Sequence, residues 1–203
     1  PKMVLHADTR LRQASQISMD ALLLEGKGRA HLVGSIDLKS MVYQAKARIT
    51  DLQLHDFLPQ DSLYLLTAQA KLSGSGTDFL SRKTRLQAQL DIDHLGYASW
   101  MLDSIHADCR LKDGTAMAEM SSRNELLQFH GCIDATIDKR KLQGTAFNLD
   151  LSHIDLHALR MAEKPLSASM VLHMDGSSDF RQTHSLNARL EAMELVTADS
   201  VLY

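Results

Sequence analysis

Apolar and polar residues alternate with a period of two along most of this chain. Leu86, Ala88, Leu90 and Ile92 alternate with Arg85, Gln87, Gln89 and Asp91, the pattern of a strand with one apolar and one wet face. The same alternation runs through 5–11, 16–24, 28–38, 42–50, 67–72, 105–111, 115–121, 127–137, 142–151, 167–174 and 186–195. Turn signals part many of these runs at spacings of roughly 8 to 12 residues, the rhythm of an all-β chain. They are Glu25-Gly26, Ser73-Gly74-Ser75-Gly76, Lys112-Asp113-Gly114, Asp138-Lys139 and Asp175-Gly176. Tight connections make neighbours in sequence neighbours in the sheet, so the pattern predicts an all-β, elongated antiparallel meander. Two stretches break it, 56–66 (DFLPQDSLYLL) and 155–163 (DLHALRMAE). Ala158, Leu159, Met161 and Ala162 have helical spacing and predict a short crossover helix, whereas Pro59 limits the earlier stretch to a looser counterpart.

The chain also repeats itself. LHADTRL at 5–11 returns as IHADCRL at 105–111, and the segments after it return in order. Gly34-Ser35-Ile36-Asp37 answers to Gly131-Cys132-Ile133-Asp134, while Ser18-Met19-Asp20 finds a loose echo in Ser122-Arg123-Asn124. LQLHDF at 52–57 answers to IDLHAL at 154–159, LSGSGTDF at 72–79 to MDGSSDF at 174–180, and LQAQLDIDHL at 86–95 to LNARLEAMEL at 186–195. Such self-similarity means one structural unit copied end to end. It predicts a first β-repeat unit over 1–98, and a second with the start of a third over 99–203, each with about seven or eight strands. At the usual strand spacing the two units would extend roughly 70 Å, and native twist would curl so long a sheet into a groove or solenoid. The chain begins at Pro1 and stops at Tyr203 as a further repeat would open, which predicts an excerpt of a longer polypeptide.

Composition narrows the function. With a formal net charge of -3, the chain lacks the basic footprint of a nucleic-acid binder. No apolar run reaches the length of a spanning helix. Aromatics make up only 5%, so Leu, Ala and Met supply the apolar mass and the interior is expected to be thin or repetitive. Alternation places Cys109 with Ile105, Ala107 and Leu111, and Cys132 on the other face, too far apart for a disulfide. Both thiols are expected to be unpaired.

Candidate chemistry is sparse. His153 and His157 form an HxxxH pair, but His153 ends an alternating run and the first unit has only His55 at the site matching His157, short of the three ligands a zinc site usually needs. In the repeated HAD, His6 and Asp8 point outward together. The residue after the Asp is Thr9 in one copy and Cys109 in the other, so no nucleophile recurs beside them. Ser73-Gly74-Ser75-Gly76 lacks the Lys-Ser/Thr and helix start of a phosphate loop. No catalytic residue, metal or cofactor is expected, and the chain is not read as an enzyme.

The informative constellation is the apolar stripe. Leu86, Ala88, Leu90, Ile92, Ile105, Ala107, Leu111, Leu127, Phe129, Ile133, Ala135, Ile137, Met170, Leu172, Met174, Leu186, Ala188 and Leu190 are expected to form one continuous concave wall. Each buried Leu or Ile is worth roughly 1.5–3 kcal/mol, so such a wall needs a cover. Either facing walls close on each other as a core, or the trough stays open and takes acyl chains, which supply apolar contact without directional hydrogen bonds. The small or flexible lining suits sliding contact.

The successions LSGSGTDFLSRKTRLQAQLDIDHLGY, SIHADCRLKDGTAMAEMSS and QFHGCIDATID resemble the AsmA-like superfamily, most closely the TamB-type translocation/assembly module proteins of bacterial envelopes. The resemblance covers nearly the whole chain and rests on alternation and turns rather than on fixed residues. It implies a long sheet folded along its length into a groove (a β-taco), periplasmic, with the parent protein anchored in the inner membrane and reaching toward the outer one. Proteins of this kind are similar to bridge-like lipid-transfer proteins and conduct phospholipids between membranes. An older role is assistance to the assembly of outer-membrane proteins with a barrel partner, met through a C-terminal domain outside this chain. The partners implied are phospholipid acyl chains and that barrel protein. The alternative is a structural or chaperone-like module that offers its strand edges or groove to nascent outer-membrane strands.

Overall fold

The computed structural model describes residues 3–12, 15–56, 63–97, 100–197 and 200–202. The described chain is a single antiparallel sheet in which every strand pairs with the next in sequence. Its strands are β1 (Met3–Arg12), β2 (Gln16–Glu25), β3 (Gly28–Asp37), β4 (Val42–Gln53), β5 (Leu63–Ser75), β6 (Arg85–Tyr97), β7 (Trp100–Lys112), β8 (Thr115–Asn124), β9 (Leu127–Asp138), β10 (Lys141–Asp155), β11 (Leu166–Ser178), β12 (His184–Thr197) and the short β13 (Val201–Leu202). The sheet is open, with β1 and β13 at opposite ends of the order.

All twelve long strands coincide with alternating runs, but they are fewer and longer than the repeat led us to expect. The repeat unit holds six strands, not seven or eight, since the heptapeptide of β1 returns in β7. Thirteen strands at 4.7–4.9 Å extend roughly 58 Å across the sheet. The difference arises because two apparent turn signals lie inside strands. Ser73-Gly74-Ser75 pairs with β4 and β6, and the chain turns only from Gly76 (φ 77°) onward. Asp175-Gly176 likewise pairs on both sides within β11.

The short connections follow turn chemistry. Asp113 (φ 54°) and Gly114 (φ 83°) link Lys112 to its partner Thr115, and two successive left-handed residues give the turn whose twist matches a hairpin. Lys139 and Arg140 make the same kind of turn, both at positive φ, without a glycine.

Among the described residues no crossover helix forms in either unit. In the first, a three-residue 3-10 turn spans Leu54–Asp56; the rest of that connection, 57–62 with Pro59, lies outside the described residues. In the second, residues 156–165 make one irregular turn. Leu159 N–H donates to Asp155 O (3.1 Å), Arg160 N–H to His157 O (2.9 Å) and Met161 N–H to Leu156 O (2.8 Å), so spacings of four, three and five residues mix. Arg160 then adopts φ 55°. One turn sacrifices conformational freedom for few hydrogen bonds, and propagation is what stabilises a helix; here the left-handed residue stops it.

Bulges mark the strands that lead into both connections. Asp51 (φ 48°) sits where the β4–β5 register slips between Ile49 and Leu52, and the β10 register slips between Leu151 and Ile154. An inserted residue bends the strand and raises its twist. It also leaves residues three apart on the same face. Thr67 secures the first bulge, its Oγ1 accepting the Asp51 N–H at 3.0 Å and donating to Asp51 Oδ1 at 3.2 Å.

A lone sheet has little interior. The accessible surface is 13531 Å², against roughly 9,500 Å² for a compact monomer of this size. Leu52, Ala68, Leu111 and Leu159 are the buried apolar residues.

Candidate functional site: an uncovered apolar face

Directly paired residues on neighbouring strands point to the same side, so the register fixes the faces. One row crosses the sheet through Ala7, Ala21, Leu32, Ala47, Ala70, Leu90, Ala107, Met120, Gly131, Leu149, Leu172 and Leu190. Beside it run Thr9, Met19, Gly34, Ala45, Leu72, Ala88, Cys109, Ala118, Ile133, Phe147, Met174 and Ala188. These two rows form a strip perpendicular to the strands, and in β1 to β8 its side chains are mostly alanine-sized. Larger residues flank that part of the strip, among them Leu11, Ile17, Ile36, Tyr43, Leu86 and Leu111 on one side and Leu5, Leu23, Ile49, Ile92 and Ile105 on the other.

Every residue expected to line an apolar wall lies on this one face. Leu86, Ala88, Leu90 and Ile92 come from β6, and Ile105, Ala107 and Leu111 from β7. Leu127, Phe129, Ile133, Ala135 and Ile137 come from β9. Met170, Leu172 and Met174 come from β11, and Leu186, Ala188 and Leu190 from β12. The contributions of β1 to β5, β8 and β10 were missing from that expectation, although the same alternation carries them. The face is partly uncovered: Leu90 is 37% exposed and Leu186 73%, while Leu111 in mid-sheet is 5%.

The opposite face is polar and internally paired. Asp20 Oδ1 meets His31 Nε2 at 2.8 Å, Asp91 Oδ1 meets His106 Nδ1 at 2.5 Å, and Asp108 meets Arg110 Nε at 3.0 Å. Hydrogen bonding from Arg10 holds the Asp8 carboxyl below its usual range. Two concavities open mainly on this side of the sheet. A concavity of ≈ 1140 Å³ is lined mainly by polar-face residues of β1 to β6, including Arg10, Asp20, Lys46, Lys71 and Gln87. A smaller one of ≈ 290 Å³ opens beside Ser121, His130 and Asp150. Twist and bulging decide which way a sheet bows, and alternation is blind to both.

Reactive groupings do not assemble. In the repeated HAD, His106 turns to Asp91 of the neighbouring strand and Asp108 turns to Arg110. His157 lies in the turn after β10, where its Nδ1 donates to Ala162 O at 3.2 Å. Among the described residues no cluster of three or more His, Cys, Asp or Glu could hold a metal. Cys109 lies on the apolar face and Cys132 on the polar one, both unbridged. Burial, and then the charge of Asp108, push the Cys109 thiol up, away from nucleophilic reactivity. The apolar face offers broad apolar contact.

Comparisons with protein-family models, characterised proteins and solved structures find no match to this chain.

Proposed function

We propose that this chain is a segment of an envelope-spanning β-sheet protein of the AsmA-like, TamB-type kind. In this reading its apolar face conducts phospholipid acyl chains between the inner and outer membranes of a bacterium, and no catalysis is involved. The carrying observation is the register, which joins the apolar residues of twelve strands into one continuous, partly exposed face. Exposed apolar area on this scale marks an interaction surface, and a strip of small side chains between larger ones suits a partner without fixed hydrogen-bonding geometry. The strip runs across the strands, along the direction in which added repeats would lengthen the sheet. Curling of the sheet along that axis, with the apolar face inward, would make the strip a groove. A module assisting the assembly of outer-membrane proteins is the second reading, in which the sheet takes an extended strand by its backbone or its apolar face.

Photocrosslinking in living cells of the full-length parent tests the proposal, with a photoreactive residue at Leu86 or Leu90 and controls at Gln87 or Gln89. Phospholipid adducts are expected at the first pair and not at the second. Adducts to protein alone, or none at all four positions, would sink the lipid reading; an extended peptide captured instead would favour assembly.

A further inference from the structure

Two lysines stand side by side on the polar face without an acid between them. Lys46 of β4 pairs directly with Lys71 of β5, which sets their Cβ atoms about 4.5–5.5 Å apart, and like charges placed so destabilise a sheet. Both residues are exposed, and among the described residues neither side chain makes an ion pair or a hydrogen bond. Along the same row of the face Val33 and Gln89 flank them. The acids beyond, Asp20 and Asp108, are held by His31 and Arg110. Both β4 and β5 have a strand on either side, so the place is framed within the sheet.

The surroundings offer hydrogen bonds rather than charge. Lys46 and Lys71 line the concavity of ≈ 1140 Å³ together with Gln44, Ser73, Gln87 and Gln89, and Gln44 and Gln87 lie on either side of Ser73 in the adjoining row. Each amide both donates and accepts, as a hydroxyl does. Among the described residues that line the concavity there is no Phe, Tyr or Trp, which leaves a nucleotide base nothing to stack on. The second repeat unit closes the same place. Asn148, between Phe147 and Leu149, stands where Lys46 stands between Ala45 and Ala47, and His173, between Leu172 and Met174, stands where Lys71 stands between Ala70 and Leu72. There His173 Nδ1 meets Asn148 Oδ1 at 2.6 Å and its Nε2 meets Glu191 Oε2 at 3.1 Å. The fold itself therefore requires no lysine pair at this position.

We infer that the polar face of β4 to β6 binds a phosphorylated sugar, its phosphate bridging Lys46 and Lys71 and its hydroxyls meeting Gln44, Ser73, Gln87 and Gln89. A phosphate accepts charge-assisted hydrogen bonds from both ammoniums at once, and its negative charge offsets their repulsion. The concavity is far larger than a bare phosphate and gives room to a hydroxylated carrier, which the amide and hydroxyl lining suits. This inference stands apart from the lipid reading, which concerns the opposite face.

The test is an NMR titration of the isotopically labelled full chain with glucose 6-phosphate, glucose and inorganic phosphate as probes. Glucose 6-phosphate is expected to give saturable shifts at the amides of Gln44, Lys46, Lys71 and Gln87, inorganic phosphate weaker binding at the same residues, and glucose none. No saturable shift, or shifts centred elsewhere, overturns the inference, and so does equal binding of inorganic phosphate, which would leave the sugar without a role. Lys46→Gln with Lys71→Gln should weaken binding of glucose 6-phosphate at least about tenfold, the scale of lost charge-assisted contacts. Lys46→Glu gives Lys71 an opposite charge across the strands, so it should abolish binding without lowering the thermal midpoint. Lys83→Gln with Lys164→Gln, outside the concavity, should leave binding unchanged. Binding that survives Lys46→Glu, or that falls equally with the Lys83 and Lys164 changes, rejects the inference.

Discussion

The first six strands and the next six share topology and face, yet their apolar surfaces differ. Where β4 and β5 place Ala45, Ala47, Ala68 and Ala70, the corresponding strands β10 and β11 place Phe147, Leu149, Met170 and Leu172. The strip that is alanine-floored in one half is filled by its own side chains in the other. Burial differs too, and not by residue type. Leu11 and Leu111 end the two copies of the repeated heptapeptide, but Leu11 is 67% exposed and Leu111 5%. Leu111 has strands on both sides, with Leu86 and Ala116 opposite it, whereas among the described residues Leu11 has only Ile17. A repeat thus sets which face a residue occupies, while its place along the array sets how much surface it loses.

The largest expected effect tests that distinction. Leu111→Ala should destabilise the chain by about 2–4 kcal/mol, the range for a buried Leu, and Leu11→Ala by less than about 0.5 kcal/mol, as for an exposed site. Urea unfolding midpoints measure both, and equal losses would mean that array position does not govern burial.

The glycines of the two halves come next. A methyl on Gly74 would lie 2.4 Å from Arg85 O and 2.6 Å from the Tyr43 hydroxyl, while at Gly176 the one close contact is Ser185 O at 2.6 Å. Tyr43 pairs with Gly74, and Thr145 stands in the same place opposite Gly176. Gly74→Ala should cost about 1–3 kcal/mol, the scale of overpacking, and more than Gly176→Ala. The reverse order in thermal melts would show that the tyrosine gives way freely.

The smallest effect concerns the loop after β11. Asp179 Oδ1 accepts the N–H groups of Arg181, Gln182 and Thr183 at 2.9, 2.9 and 3.0 Å, and these bonds lower its pKa to about 2. A folded-state pKa below the unfolded one adds stability that is complete above the usual carboxylate range near pH 4 and is lost as pH falls through about 2. Asp179→Asn should flatten the pH dependence of the unfolding midpoint in that window. Asp78, which starts the corresponding loop, meets a different partner in Arg140.

The strands and their faces were legible in the residues because side chains alternate across a strand whatever surrounds it. That is why all the expected wall residues reach one side, and why Cys109 and Cys132 part company. The strand count per repeat was not legible, since glycine inside a long paired strand looks like glycine at a turn until its partners are known. The absent helix was not legible either: residues 158–162 carry helical spacing, but their backbone hydrogen bonds mix spacings of three, four and five and Arg160 turns left-handed.

By itself, then, the sequence determined an antiparallel meander, its repeat and the division of its residues between an apolar and a polar face, because these follow from short-range periodicity and turn chemistry. Only the tertiary structure decided where the strands end, where the register slips, and that Leu111 is covered while Leu11 is not. Those properties depend on which strands lie side by side, on the bulges between them and on twist accumulated over the whole sheet.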